Sequence, residues 1–251
     1  MLLAFLFAGV LLAGQPVGQP KVLVYTRNFV TDGKGYVHDN IATSVQAIRE
    51  IGWENGFGVD ASDDPKVFTP SNLKQYRAIV FSNSNHEAFQ NDQQREAFRK
   101  FVQAGGGIVG IHIATGSERA WPYFWSLMGG KFARHPKLQK FTVVVKDATH
   151  PATKDLPATF EWEDECYLFS NVNRDTKVLL TTDPATIDDP KRQEQPGELR
   201  DGVYALSWYN TFDGGRQYYT ALGHKKEHYA DPLLRKQITG GILWAIGTAK
   251  D

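Results

Sequence analysis

Short, almost continuous apolar runs in the first half of the chain constrain the fold more than any other sequence feature. They are found at residues 21–25, 57–60, 78–82 and 108–112. Between them, apolar residues recur every three or four positions, as in Ile41–Ile51 and Asn91–Val102, which predicts helices with one buried face. Strands apolar on both faces that alternate with helices are typical of a parallel sheet covered by helices on both sides. We therefore predict an α/β fold with a mostly parallel central sheet.

The second half of the chain is less regular. A helix is predicted at Glu118–Met128, and a second one, Leu233–Ile246, closes the chain. Strands are predicted at 141–145, 178–180, 205–209 and 217–222. The last two form a hairpin around Asp213–Gly214–Gly215. The segment Asp183–Asp201 is polar and rich in Asp, Glu, Gln and Pro, which predicts a long surface loop that could act as a lid.

The amino-terminal segment Met1–Ala13 is uncharged and apolar. It is too short to span a bilayer as a helix but suits the core of a signal peptide, and the small residues Ala13 and Gly14 follow it. We expect residues 1–20 to be a cleaved signal peptide, with its end uncertain, and residues 21–251 to form one domain. The protein would then be exported to the periplasm or the extracellular space, without stable membrane insertion after cleavage.

Charge and cysteine content exclude several classes of partner and of stabilisation. The chain has 28 Lys and Arg against 28 Asp and Glu, so it has no formal net charge. Nucleic acids and anionic membranes need a basic surface, so neither is the expected main partner. Cys166 is the single cysteine, so no intramolecular disulfide can form. The sequence leaves the oligomeric state open.

Candidate catalytic residues follow the predicted strands, because ligands bind at the carboxyl ends of parallel strands. His112 ends the strand after a glycine triplet, a strand-to-helix corner that often exposes a functional side chain. His224 follows the strand at 217–222. Glu165 belongs to a run of three carboxylates, Glu163–Glu165; crowded carboxylates repel, so one would have a raised pKa and serve as acid or base. Cys166 is expected to be a buried, inert thiol.

Two other histidine patterns are weaker. Residues His224–His228 fit the H-x-x-E-H pattern of zinc peptidases, but that pattern needs a helix, and Gly223 and Pro232 leave room for barely two turns. His135–Pro136 and His150–Pro151 repeat a His-Pro pair, in which the proline holds the preceding residue extended. Neither pattern alone defines a site.

Several motifs in order resemble the trehalose-utilisation (ThuA-like) family over residues 21–247. They are Gly105–His112, Gly129–Gly130 with Phe132, His135–Pro136, His150–Pro151, Asp164–Tyr167, Ser207–Trp208 and Gly215–His224. The resemblance implies a flavodoxin-like three-layer α/β/α sandwich close to class I glutamine amidotransferases. His112 stands where those enzymes have their cysteine, and His224 where they have their catalytic histidine. Glutaminase activity is therefore not expected.

The family is linked to disaccharide catabolism, and its members are associated with sugars oxidised at C3. The resemblance implies a carbohydrate-processing enzyme, a lyase or hydrolase, that cleaves 3-keto-glycosides by acid/base chemistry with His112, Glu165 and His224. Trp208, Arg216 and Tyr167 would bind the substrate. His38, His112 and His135 have the ligand type for a divalent metal ion such as Zn²⁺, and no nucleotide cofactor is expected.

Three interpretations of function compete at this point. The first is the glycoside-cleaving enzyme with a small carbohydrate substrate. The second is a non-catalytic sugar-binding or sensing module on the same fold, and the third is a metallopeptidase. A cleft in which His112, Glu165 and His224 face one another favours catalysis, whereas an aromatic groove without convergent titratable groups favours binding.

Overall fold

The computed structural model describes residues 18–30, 32–33 and 35–249. Most of the predicted signal peptide, residues 1–17, lies outside the described residues, as do the last two residues of the predicted domain. The α-helices in the described part are α1 (Ile41–Asn55), α2 (Pro70–Leu73), α3 (Asp92–Gln103), α4 (Pro122–Met128) and α5 (Pro232–Ala245). None of these helices is both long enough and apolar enough to cross a membrane, a statement limited to the described residues.

Thirteen strands are assigned over the same residues. They are β1 (Lys21–Tyr25), β2 (Asn28–Phe29), β3 (Gly58–Ser62), β4 (Ala78–Ser82), β5 (Asn85–His86), β6 (Gly107–Ile111), β7 (Lys131–Arg134), β8 (Gln139–Val145), β9 (Thr159–Asp164), β10 (Leu168–Ser170), β11 (Lys177–Thr182), β12 (Tyr204–Phe212) and β13 (Gly215–Thr220). Nine of them form one sheet in the order β3-β1-β4-β6-β13-β12-β11-β8-β9. Two short pairs, β10 with β7 and β2 with β5, lie outside it.

The large sheet confirms the predicted α/β class. Five neighbouring strands, β3, β1, β4, β6 and β13, are parallel to one another. From β13 to the β9 edge, all pairings are antiparallel. Parallel neighbours end at the same edge, so the residues that follow β6 and β13 come together there: Ile111 is paired with Thr220.

The four inner strands of the parallel part, β1, β4, β6 and β13, are buried on both faces, as the continuous apolar runs predict, whereas the edge strand β3 is mostly only partly buried. In β1, Val22 and Val24 belong to one hydrophobic core, and Leu23 and Tyr25 belong to another. Successive side chains of a strand point to opposite faces, so these are the two faces of the sheet. The first core includes residues of α1 and α5, and the second includes residues of α3 and α4.

Local sequence signals explain where most elements begin and end. The Asn91 side chain accepts a hydrogen bond from the backbone N–H of Gln94 and caps α3. The hairpin of β12 and β13 turns at Asp213 and Gly214, which both have positive φ. Helix α4 begins at Pro122, four residues later than predicted, because Glu118 has φ +49° and forms a turn instead.

The sequence did not predict β9, the strand that precedes Glu165. Its side chains alternate: Phe160, Trp162 and Asp164 are buried, and the residues between them are not. This period of two is visible in the sequence and could have identified the strand. The segment Asp183–Asp201 is a long connection, as predicted, with only one short 3₁₀ turn.

Candidate functional site

His112 follows β6 directly, and its backbone adopts the left-handed conformation with φ +54°. For a non-glycine residue this costs about 1–2 kcal/mol, so the surrounding contacts must hold it. The side chain is fully buried, and Nδ1 donates a hydrogen bond of 2.8 Å to the carbonyl of Ala221. A carbonyl can only accept, so Nδ1 carries the proton. The Nε2 atom, on the other side of the ring, faces the cleft.

His38 approaches His112 from the loop between β2 and α1. Its Nε2 lies 3.1 Å from Nε2 of His112, and the two rings are edge to face. Burial, together with the charges of His112 and His224, lowers the pKa of His38 to about 3. His38 is therefore neutral at physiological pH, and its Nδ1 atom is buried without a hydrogen-bond partner.

Glu165 lies one residue beyond β9, between three imidazole rings. One carboxylate oxygen, Oε2, is 3.5 Å from Nε2 of His112 and 3.3 Å from Nδ1 of His224. The other, Oε1, is 3.4 Å from Nε2 of His135. Burial opposes the charge on Glu165, but the histidines outweigh burial and hold the pKa of this carboxyl below its usual value. The raised pKa expected for one of the crowded carboxylates therefore does not occur at Glu165, because imidazole groups surround it instead of other carboxylates.

His224 lies four residues beyond β13, beside His112, so the two histidines follow adjoining strands. Its ring centroid is 5.5 Å from that of His112 and 5.3 Å from that of His38. The close contact with the Glu165 carboxylate raises the pKa of His224 above its usual value. The cleft therefore holds one histidine that readily carries a proton, His224, and one that does not, His38.

Tyr167 closes the inner side of the cleft. Its hydroxyl donates a hydrogen bond of 2.7 Å to Nε2 of His112, and the two rings are stacked with centroids 4.3 Å apart. Burial and the nearby Glu165 raise the pKa of this phenol well above its usual value, so Tyr167 keeps its proton. Tyr167 was predicted to bind substrate; the structure places it against His112, with only 1% of its surface exposed.

Asp164 fixes the backbone on both sides of the cleft. Its Oδ1 accepts from the N–H of Glu165, and its Oδ2 accepts from the N–H of Gly223, each at 2.8 Å. The indole of Trp162 also donates to Oδ2, and Nδ1 of His228 lies 3.3 Å from it. Burial opposes the charge, but these donors hold the pKa of Asp164 below its usual value. One buried carboxylate thus positions both Glu165 and the residue before His224.

Asn40 is a second positioning residue, and sequence reasoning missed it. Its Nδ2 donates to the carbonyls of Gly223 and His224, each at 2.7 Å, and lies 3.2 Å from Oδ1 of Asn83. Asn40 is fully buried and follows His38 by two residues. It therefore links the loop that carries His38 to the loop that carries His224. Only its place next to a candidate histidine signalled such a role.

Four residues have ligand atoms close enough to share one metal ion. The nitrogen or carboxylate atoms of His38, His112, Glu165 and His224 all lie within 4.8 Å of one another. We call these four residues the histidine–glutamate cluster. The predicted ligand set was His38, His112 and His135. The first two belong to the cluster, whereas His135 does not: its Nδ1 donates to the Pro136 carbonyl and its Nε2 faces the far oxygen of Glu165.

Two predicted substrate-binding residues lie away from the cluster. Trp208 is 2% exposed, donates from its indole nitrogen to the carbonyl of Met128, and packs on Tyr219. Arg216 lies at the amino end of β13, roughly 13 Å of extended strand from its carboxyl end. Its guanidinium donates to the carbonyl of Trp244. The structure brings neither side chain to the cluster, because one belongs to the core and the other lies toward the opposite edge of the sheet.

The remaining histidine motifs do not form a peptidase site. Lys226–Ala230 is a short 3₁₀ helix, so His224 faces Glu165 while His228 faces Asp164. Glu227 between them is exposed. His150 is buried, accepts a hydrogen bond from the N–H of Ala152 and packs on Tyr209.

Tyr36 is the aromatic side chain that is both exposed and next to the cluster. Its ring is 62% exposed, and its centroid lies 4.8 Å from that of His38, edge to face. His135 and Phe132 border the same cleft, with their ring centroids 6.1 Å apart. About a third of the His135 side chain is exposed. These residues offer apolar and titratable groups to a molecule that enters from solvent.

Comparison with known proteins gives a consistent family assignment. The family model described as ThuA, trehalose utilisation, matches residues 21–245. No curated protein matches the chain in sequence.

Solved structures with a similar fold include two ThuA-like proteins. The one from Bacteroides uniformis ATCC 8492 is 24% identical, with 95% of each chain covered and a TM-score of 0.69. The one from Parabacteroides merdae ATCC 43184 is 18% identical, with 93% of each chain covered and a TM-score of 0.70. A β-galactosidase from Bacillus circulans sp. alkalophilus is 12% identical; the match covers 90% of this chain and 30% of the enzyme, with a TM-score of 0.53. At these identities the likeness concerns the fold alone.

Proposed function

Since this chain belongs to the trehalose-utilisation (ThuA) family, we propose that it is a carbohydrate-processing enzyme that cleaves a 3-keto-glycoside. The reaction is an elimination or a hydrolysis, carried out by acid/base chemistry at the histidine–glutamate cluster. The observation that carries the proposal is the convergence of the histidine–glutamate cluster, whose nitrogen and carboxylate atoms all lie within 4.8 Å of one another. The pKa of His38 is lowered and that of His224 is raised, a separation of pKa values that suits an acid–base pair.

The chemistry follows from the ketone. A carbonyl at C3 of the sugar acidifies the C–H bond at C2, and the imidazole of His112 or of His38 accepts that proton. The electron pair then forms the C1=C2 double bond as the bond from C1 to the glycosidic oxygen breaks. His224, held protonated by Glu165, gives its proton to the departing oxygen. Addition of water to the resulting alkene completes a net hydrolysis.

Glu165 acts in this scheme as an anion. Its pKa is lowered, so it is ionised at neutral pH and does not deliver the proton itself. It keeps His224 protonated and oriented. His135, which faces the other oxygen of Glu165 and is partly exposed, lies where it can contact the substrate.

The same cluster fits a divalent metal ion such as Zn²⁺. The donor set of three imidazoles and one carboxylate is of the kind that binds Zn²⁺, and the ligand atoms of the four residues all lie within 4.8 Å of one another. When bound, the ion would stabilise negative charge on the ketone oxygen. His38, His112, Glu165 and His224 would hold it, and the proton transfers would then rest on His135 at the open side.

Substrate contacts in this proposal come from the rim. Tyr36 takes the role that the sequence assigned to Trp208, because its exposed ring beside His38 offers a face for a sugar ring. Tyr167 supports His112 from the inner side and touches only the part of the substrate that enters deepest.

The test is incubation of the pure protein with a panel of 3-keto-glycosides and their unoxidised counterparts, with and without chelator. We expect released aglycone from the keto substrates only, and loss of release with His112→Ala. Binding of the sugars without any release would instead support the sugar-binding module.

Two further parts of the proposal concern location and architecture. We propose that residues 1–20 direct export and are removed, so the protein isolated from its native cells should begin between Gly14 and Lys21. An intact Met1 on the cytoplasmic protein would contradict export. For the fold we propose the flavodoxin-like three-layer sandwich, which the two separate cores support.

A further inference from the structure

Arg119 lies at the rim of the cleft and has no role in the chemistry described so far. It is exposed, and among the described residues no carboxylate forms a salt bridge with it. Its Nη2 donates a hydrogen bond of 3.1 Å to Oδ1 of the buried Asn85. The remaining donors of the guanidinium have no other hydrogen-bond partner in the described structure. The charge is thus held in place but not neutralised.

The turn that carries Arg119 is unusually constrained. The preceding residue, Glu118, has φ +49°, a conformation that costs about 1–2 kcal/mol for a non-glycine residue. Its buried carboxylate accepts hydrogen bonds from the N–H groups of Ala88 and Phe89 and from Nε of Arg95. Its own N–H donates to the carbonyl of His86 at 2.7 Å. These contacts fix the backbone of the turn. The Glu118 carboxylate is paired with Arg95 and not with Arg119.

Phe132 connects Arg119 to the catalytic residues. The guanidinium carbon of Arg119 lies 5.6 Å from the centroid of the Phe132 ring. The Phe132 ring is in turn 4.6 Å from Tyr167 and 6.1 Å from His135, centroid to centroid. Tyr167 donates to His112. A ligand seated on Phe132 can therefore touch His135 with one end and Arg119 with the other.

A guanidinium is a donor-only group whose planar fork matches carboxylate and phosphate oxygens. Strained backbone that is held by several contacts is typical of functional positions. Resting on the proposed function, we propose that Arg119 is a specificity-determining residue that binds an anionic substituent of the sugar substrate. The preferred substrate is thus a 3-keto-glycoside that carries a carboxylate or a phosphate as a substituent that takes no part in the cleaved glycosidic bond.

The experiment compares three probes that differ in one substituent: a methyl 3-keto-glucoside, the corresponding 3-keto-glucuronide and the corresponding 6-phosphate. Initial rates and calorimetric binding are measured for the wild type, Arg119→Gln and Arg119→Lys. Arg49→Gln is the matched control, since Arg49 is also exposed, lies on α1 and forms no salt bridge with any residue that the structure describes. Circular dichroism verifies that each variant is folded.

We expect the wild type to bind at least one anionic probe about 10- to 100-fold more tightly than the neutral one, the range for a hydrogen bond to a charged group. Arg119→Gln should remove this preference through KM, with kcat and the neutral probe unchanged. Arg119→Lys should restore it in part, and added salt should reduce it in the wild type. A preference for only one of the two anionic probes identifies that substituent as the one recognised.

Other outcomes separate the two hypotheses. If the neutral probe is cleaved as efficiently as both anionic probes, or if Arg49→Gln has the same effect as Arg119→Gln, the role of Arg119 is wrong and the proposed function stands. If anionic probes bind through Arg119 but no probe is cleaved, the binding role stands and the proposed reaction is wrong. If no probe binds or reacts, both are wrong.

Discussion

The Nε2 atoms of His38 and His112 lie 3.1 Å apart, although 74 positions separate the two residues in the chain. His112 reaches this point from the end of β6, and His38 from a loop on the other side of the cleft. Both rings are buried. Burial and the proximity of His112 lower the pKa of His38, because a positive charge there would be poorly solvated and close to a second imidazole. This contact, with Glu165 and His224 beside it, is the structural basis for the predictions that follow.

We expect the three predicted catalytic residues to be required for turnover. General acid–base groups contribute about 10²–10⁴-fold each, so His112→Ala, Glu165→Gln and His224→Ala should each lower kcat by that range. Steady-state kinetics on a 3-keto-glycoside measures this effect. Glu163→Gln is the matched control, because Glu163 is two residues from Glu165 and instead pairs with Lys225 at 2.8 Å. Folded catalytic variants with near-native kcat would mean that the active site lies elsewhere.

Elemental analysis should find a divalent ion, at substoichiometric to stoichiometric level, in protein purified without added metal. The double substitution His38→Ala with His112→Ala removes two of the four candidate ligands and should abolish binding. His135→Ala should keep the metal, because His135 is outside the ligand group. Loss of metal in His135→Ala would restore the ligand set of His38, His112 and His135, whereas metal retained in the double variant would mean that the ligands lie elsewhere.

The stability of the metal-free protein should fall as the pH drops below about 6.5. The pKa of His38 is lowered from 6.5 to about 3 in the folded state, so between these values the unfolded chain binds a proton that the folded chain does not. The cost is at most about 1.4 kcal/mol per pH unit. His224 acts in the opposite direction: its raised pKa stabilises the fold at low pH, and this contribution is lost as the pH rises through that pKa. Urea unfolding of the wild type and of His38→Asn at several pH values isolates the contribution of His38. If the free energy of unfolding changes with pH by the same amount in both proteins, the predicted role of His38 is wrong.

Cys166 should be unreactive in the folded protein. Burial, reinforced by Asp164 and Asp189, raises the pKa of its thiol to about 12, so almost no thiolate exists at pH 8. Iodoacetamide should label Cys166 only after unfolding, as read by mass spectrometry. Cys166→Ser should keep most activity. A loss as deep as that of His112→Ala would show that Cys166 is the nucleophile.

Trp208 and Tyr36 should respond to substitution in opposite ways. Trp208→Ala removes a buried indole, so we expect a loss of about 3–5 kcal/mol in the free energy of unfolding. Tyr36→Ala should change stability by less than about 0.5 kcal/mol, because the ring is exposed, but should raise KM for the glycoside. Denaturant unfolding and kinetics on the same two variants provide the comparison. If Trp208→Ala is as stable as the wild type and raises KM, while Tyr36→Ala leaves KM unchanged, Trp208 is the substrate-binding residue, as the sequence analysis predicted.

The sequence by itself determined the parallel half of the sheet. Continuous apolar runs and helical periodicity depend on local burial, which each segment records in its own residues. For the same reason the sequence located His112 at the end of β6, where any residue after a buried parallel strand faces the ligand edge. It also located the hairpin at Asp213 and Gly214, because few residues tolerate positive φ.

Only the tertiary structure decided which side chains meet. The sequence could not separate Glu163, Asp164 and Glu165, which become an exposed ion pair, a buried anchor and the centre of the cluster. Their roles depend on β9 and on where its end points. His38 joins His112, and Trp208 enters the core, through contacts between segments far apart in the chain. Local periodicity shows that a residue is buried. Its partners depend on the order of the strands in the sheet, which local sequence does not record. Strand β13, for example, pairs with β6 although more than a hundred residues separate them.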